Sequence, residues 1–193
     1  MIEKDKIEIR LGGTGGQGLI TAAIILADAA VKSGKNVVQT QSYGPEARGG
    51  SSKAEVIISN NEIAFPKVRK ADILLVMSQE AAKKYGNEVS PGSIVVSDSD
   101  LVHGAVFPKA VHFQVPITML AKEKVGNEIA ANIIALGIVA CISNILNKKD
   151  VLFAITNRLP AGTRAMNKKA FNIGWKVAVD IATENKKKQL ATG

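Results

Sequence analysis

Seven residues near the start, Gly12-Gly13-Thr14-Gly15-Gly16-Gln17-Gly18, restrict the fold of this chain more than any others. They lie between a strand-like run, Ile7 to Leu11, and a helix-like run, Leu19 to Lys32, which is rich in Ala and Ile. A glycine turn that leads from a strand into a helix leaves backbone N–H groups at the positive end of that helix, a place for a phosphate or for the backbone of a partner. Gly13, Gly15 and Gly18 match Gly-x-Gly-x-x-Gly in the context that a dinucleotide fingerprint requires. The companion acid is missing, because the second strand, Asn36 to Gln41, ends in Gln39-Thr40-Gln41, which hydrogen-bonds ribose hydroxyls only weakly. A P-loop is excluded too, since Gln17-Gly18-Leu19 stands where Gly-Lys-Ser/Thr would be needed. Turn formation and close helix–sheet packing are the simpler roles for glycine, and they suit Gly12 and Gly16 best.

A second glycine-bearing segment, Ser42-Tyr43-Gly44-Pro45-Glu46-Ala47-Arg48-Gly49-Gly50, follows one crossover later. Gly49 and Gly50 permit close backbone approach, and Arg48 offers a fork of donors to a carboxylate or phosphate. Glu46 can instead pair with Arg48 and brace the loop, while Tyr43 suits packing against a partner surface.

With aromatics at only 4% of 193 residues, the core must be built from Ala, Val, Ile and Leu, as where helices cover both faces of parallel strands. The expected architecture is an α/β, three-layer Rossmann-like domain, 1–193, with a mostly parallel sheet, a hairpin at one edge and a helical C-terminal third. Ser52 to Ser59 reads as a strand, and the turn Asn60-Asn61 predicts a hairpin with Glu62 to Phe65. Ala71 to Met77 is a buried strand, Gln79 to Tyr85 a short helix, and Ser93 to Ser97 the next strand after a Pro91-Gly92 turn. Val111 to Val115 is the last strand, and Pro116 the first position of a helix. Glu128 to Asn147 is apolar on nearly every face, which predicts a helix central to a core or an interface, with Asn132 as a buried amide in need of partners. Thr163 to Glu184 is a second long helix, striped by Ala170, Ile173, Val177 and Ile181.

The formal charge of +8 favours polyanions, phosphorylated cofactors or an acidic protein, and part of it sits in Lys186-Lys187-Lys188. Nucleic-acid binding is not expected, because no basic face with interleaved aromatics and no base-reading motif is present. The charged start Met1-Ile2-Glu3-Lys4-Asp5-Lys6 and the lack of a bilayer-length apolar run predict a cytoplasmic protein without membrane association. Cys141, the one cysteine, lies in an apolar run, so the chain alone can build neither a disulfide nor an iron–sulfur site. His103 and His112 have no Ser, Cys or carboxylate at a spacing that suggests a triad or metal site. Asp98 and Asp100 follow a strand where α/β folds place ligands, although a turn and helix cap accounts for them more simply. No catalytic residue is assigned.

Taken together, these segments resemble the gamma subunit of 2-oxoacid:ferredoxin oxidoreductases. The resemblance rests on Gly13-x-Gly15-Gly16-Gln17-Gly18, on Gln41 to Gly50, on Ser52-Lys53-Ala54-Glu55-Val56, and on Asn132-Ile133-Ile134-Ala135-Leu136-Gly137. The form Gln-Ser-Tyr-Gly-Pro-Glu-Ala-Arg-Gly-Gly is most similar to the 2-oxoglutarate branch; pyruvate-type relatives tend to carry Phe-Gly-Pro-Glu-Arg-Arg-Gly there. The resemblance implies a subunit of a complex that turns a 2-oxoacid and coenzyme A into an acyl-coenzyme A and carbon dioxide and passes two electrons to ferredoxin. It implies alpha, beta and ferredoxin-like delta partner chains, which hold thiamine diphosphate, Mg and the iron–sulfur clusters. It also implies that Gly13, Gly15, Gly16, Gln17, Gly18 and Arg48 contact coenzyme A phosphates or seat the partner subunits, and that the apolar helix Glu128 to Asn147 is covered by those partners.

Overall fold

The computed structural model describes residues 4–42 and 51–191, with side chains through Thr183. β1 (Lys6–Thr14), β2 (Asn36–Ser42), β3 (Ser51–Ser59), β4 (Ala71–Val76), β5 (Val89–Asp98) and β6 (Ala110–Val115) form one sheet in the order β2-β3-β1-β4-β5-β6. β1, β4, β5 and β6 run parallel, and β3 is antiparallel to both of its neighbours. From β1 the chain moves through α1 (Leu19–Lys32) to β2 at one side of the sheet, then returns by β3 and goes on to β4 and the other side. The carboxyl ends of β1 and β4 therefore flank the point where the strand order reverses, the usual ligand crevice of an open α/β sheet.

Alternation along β1 explains the two faces. Ile7, Ile9 and Leu11 are buried in the larger core, beneath α1 and three helices of the C-terminal third, while Arg10 is buried on the opposite face. Those helices are α4 (Ala131–Ser143), α5 (Lys148–Arg158) and α6 (Arg164–Ala191); a smaller core on the other face packs under α2 (Gln79–Tyr85).

The expected hairpin partner Glu62 to Phe65 is not a strand. Both edges of β3 are already occupied, by β1 and by β2, so no backbone donors remain for a further strand there. The edge hairpin of this sheet is β2–β3, joined by residues 43–50. The Pro91-Gly92 turn lies inside β5 as an irregularity: pairing with β4 jumps from Ala71↔Val89 to Ile73↔Ile94, and Gly92 has φ of 74°.

Glu128 to Asn147 is also shorter than expected as a helix. Asn127 caps a 3-10 turn, Glu128–Ala130, by accepting the Ile129 N–H through its side chain; α4 follows and stops at Asn144, in the left-handed conformation with φ of 54°. All thirteen residues of α4 are buried by the chain itself, so this helix does not depend on a partner to leave water. Pro116 precedes α3 (Ile117–Leu120), which runs into a π-helical turn, Ala121–Val125.

Candidate functional site

A cleft of about 290 Å³ opens at the carboxyl ends of β1 and β4. Gly16, Gln17 and Gly18 form one side, Met77 and Thr118 the floor, and Ile129 and Asn132 the far side. Gln17 holds it together: its Oε1 accepts the Thr14 N–H at 2.8 Å and its Nε2 donates to the Met77 carbonyl at 2.7 Å, tying the loop after β1 to the end of β4. Gly18, with φ of 74°, turns the chain into α1, and a Cβ there would overlap the Asn132 amide. That amide donates to the Gly18 carbonyl at 3.3 Å, the partner that a buried Asn132 required. No side chain caps the amino end of α1 and no acid lies in its first turn, so the local field favours an anion. Glu128, on the rim, is paired with Lys122 at 3.2 Å.

The structure brings Gly16, Gln17 and Gly18 together in this cleft, with Gly13 behind it against Gln17 and Leu19. Gly12 packs on Tyr85 and Ala81. A Cβ at Gly15 would meet no atom within 4 Å. Arg48, with Tyr43, Glu46, Gly49 and Gly50, lies outside the described residues. The ends of that connection are placed: Ser42 pairs with Lys53, and Ser51 pairs with Thr14 at the carboxyl end of β1.

The position of β2 bears on the dinucleotide reading. β3 stands between β1 and β2, which moves Gln39 and Gln41 two strand spacings, roughly 10 Å, from the strand that carries the glycine turn. A dinucleotide fingerprint needs those strands adjacent.

Asp98 and Asp100 are caps. The Asp98 carboxylate, fully buried, accepts the Thr118 N–H at 3.0 Å, the Thr118 hydroxyl at 2.5 Å and the Asp100 N–H at 3.1 Å; Asp100 accepts the Met119 N–H at 2.6 Å. They fix α3 to the end of β5 and hold Thr118 in the cleft floor. Burial pushes the Asp98 carboxyl above its ordinary range, against the Thr118 hydrogen bonds that pull it down. A folded-state pKa above the unfolded value means that the native chain binds the extra proton, so the stability this group provides is present at low pH and fades as pH rises through the folded pKa. Asp98→Asn keeps the shape and removes the titration. The stability gap between the parent chain and this variant, from urea unfolding between pH 3.5 and 7, is expected to narrow as pH rises. A gap that widens would show the carboxylate's hydrogen bonds outweighing its burial.

Sequence spacing missed one pairing: Ser97 Oγ lies 2.8 Å from His112 Nε2, because the β5–β6 register makes them diagonal neighbours on one face. Ser97 is fully buried and His112 half-buried, where burial lowers its pKa, so the pair bonds one strand to the next. His103 is exposed, and its backbone N–H donates to Gln79. Cys141 is buried in α4, where burial raises its thiol pKa. Among the described residues no three His, Cys, Asp or Glu side chains gather as a metal site, and no helix is long and apolar enough to cross a membrane.

Comparison with known proteins places the chain in a family. Residues 8–177 match the family described as pyruvate ferredoxin/flavodoxin oxidoreductase. The chain is 45% identical over 181 residues to 2-oxoglutarate synthase subunit KorC of Methanocaldococcus jannaschii, covering 92% of this chain and 97% of that one. It superposes with a TM-score of 0.82 on the gamma subunit of a keto/oxoacid ferredoxin oxidoreductase from Geobacter sulfurreducens, at 42% identity over 90% of this chain and 99% of the other. The same fold, at 22% identity and a TM-score of 0.83, covers 92% of this chain and 32% of a 2-oxoglutarate:ferredoxin oxidoreductase chain from Magnetococcus marinus. The chain belongs to the gamma-subunit family of 2-oxoacid:ferredoxin oxidoreductases.

Proposed function

We propose that this chain is the gamma subunit of a cytoplasmic 2-oxoglutarate:ferredoxin oxidoreductase, which converts 2-oxoglutarate, coenzyme A and oxidised ferredoxin to succinyl-coenzyme A, carbon dioxide and reduced ferredoxin. The choice of 2-oxoglutarate follows the identity to 2-oxoglutarate synthase subunits. Iron–sulfur clusters do not fit the residues present, because the sequence has one cysteine and it is buried in α4. Thiamine diphosphate and Mg do not fit either, because the sequence has no Gly-Asp-Gly run followed by a metal-binding Asn, and no three His, Cys, Asp or Glu side chains gather among the described residues. Those groups are assigned to alpha, beta and ferredoxin-like delta partners.

The observation that carries a role for this chain is the uncapped amino end of α1, opening into a cleft whose loop is locked by Gln17. Gly13, Gly15, Gly16, Gln17 and Gly18 fix the N–H groups that meet a coenzyme A phosphate or a partner's backbone, and Arg48 supplies a cation for the same anion. Binding there orients; it supplies neither nucleophile nor redox group.

The test uses the assembled complex. Gln17→Ala frees the Thr14 N–H and the Met77 carbonyl, and losing such bonds costs about 1 kcal/mol or more, roughly fivefold in affinity. Gln17→Ala and Arg48→Ala are each expected to raise the KM for coenzyme A several-fold, or to release the gamma subunit on size-exclusion chromatography. Unchanged KM together with unchanged subunit retention in both variants would rule out either role. Tight binding of NAD(P)H by the isolated chain in a calorimetric titration would replace the reading with a dehydrogenase.

A further inference from the structure

Residues 148–188 hold ten of the lysines and arginines against three carboxylates, so seven of the eight net positive charges fall on α5 and α6. The two helices run antiparallel and side by side: Lys148 Nζ lies 5.5 Å from the Trp175 ring centre towards one end, and Arg164 Nε donates to the Thr156 carbonyl at 3.3 Å at the other. α6 turns Asn167, Ala170, Phe171, Gly174 and Ala178 inward. Its outer face therefore carries Arg164, Lys168, Lys169 and Lys176 along about 18 Å of helix.

The neighbouring acids with described side chains are already engaged. Asp150 accepts from Ser33 at 2.7 Å, Asp180 pairs with Lys176 at 2.8 Å, and Asp28 pairs with Arg158 at 3.5 Å. Lys149, Lys168 and Lys169 are exposed and have no carboxylate within 4 Å among the described residues. Among the described residues, the large apolar side chains exposed on these helices are single, Phe153 on α5 and Val179 on α6. Lysine is depleted from the buried centres of permanent interfaces, whereas free cations on a rigid platform suit a partner that is drawn in electrostatically and released again.

We propose that the α5–α6 face docks an acidic soluble protein and, resting on the reading above, that this protein is the ferredoxin that collects the electrons. In the assembled complex, 2-oxoglutarate oxidation is followed with two acceptors: a ferredoxin of net negative charge, and methyl viologen, a small dye that needs no docking surface. Lys149→Glu, Lys168→Glu and Lys169→Glu are combined. A control of equal charge change, Lys67→Glu with Lys70→Glu and Lys109→Glu, alters exposed lysines near the amino ends of β4 and β6.

The docking triple is expected to lower kcat/KM for ferredoxin about tenfold at low ionic strength, with the loss disappearing at high salt and the viologen rate unchanged. The control triple should change ferredoxin kinetics less than twofold. Unchanged ferredoxin kinetics, an equal loss in both triples, or a loss insensitive to salt would overturn the proposal. So would normal ferredoxin kinetics accompanied by lost binding to duplex DNA or to anionic vesicles, which would give the face to a nucleic acid or a membrane. The Lys→Gln triple at the same three positions serves if the acidic one fails to assemble. A parent complex that oxidises no 2-oxoglutarate with viologen would instead defeat the underlying functional reading, so the two failures are distinct.

Discussion

Arg10→Met is expected to remove about 3–5 kcal/mol from the stability of the chain, the typical consequence of leaving one member of a buried ion pair alone. Arg10 is 1% exposed and Glu55 6%, and Arg10 Nε donates to Glu55 Oε1 at 2.7 Å. The guanidinium also donates to the Val68 carbonyl at 2.8 Å, which pins the irregular segment between β3 and β4 to the sheet. Glu88, at 2.5 Å, is half exposed and can turn to water when Arg10 is lost. Glu55 cannot: it would keep only Lys53 Nζ at 3.2 Å and the Thr40 hydroxyl at 3.4 Å. The double variant Arg10→Met, Glu55→Met should recover most of the loss, because the cost lies in the stranded carboxylate and not in the missing pair. Urea unfolding of the four members of the cycle measures this. A single-variant cost below about 1 kcal/mol would mean that Glu55 finds water by local rearrangement.

Arg10 also shows why part of this fold was legible in the sequence and part was not. A charged residue between Ile9 and Leu11 reads as the solvent side of a half-buried strand, and only the sheet order, with β3 and β4 on either side of β1, puts it in a covered layer. Local signals worked where the chain decides locally: the glycine turn into α1, the span of α2, the strand cores and the apolar α4. They failed where one strand's position depends on another. Glu62 to Phe65 has a turn before it, but β3 has no free edge to offer. Ser97 and His112 meet only because of register. At the cleft, Asn132 stood out as a polar residue in apolar surroundings, which marks it as bonded, whereas Gln17 read as a contact for a ligand or partner; that Asn132 bonds to Gly18 and Gln17 to Met77 is long-range information.

Gly174→Ala gives the sharpest contrast between local preference and packing. Alanine is the better helix former by about 1 kcal/mol, so an exposed site in α6 would gain stability from the change. At Gly174 a Cβ would overlap the carbonyl of Ile134 in α4, and the reciprocal site, Gly137, would place a Cβ on the Phe171 carbonyl of α6. These obstructions are backbone atoms of two buried helix segments, so no side chain can swing aside to relieve them. The helices must separate, and the contacts of Ile134, Ile138 and Phe171 loosen together. The expected cost is about 3 kcal/mol, at the upper end for overpacking, with a fall in Tm of roughly 6–12 °C for a chain of this length. Gly162→Ala, where a Cβ would meet nothing within 4 Å, is the matched control and should be neutral or slightly stabilising. Because helix preference and packing predict opposite signs at Gly174, a measured gain in stability would mean that α4 and α6 do not cross at these two glycines in solution.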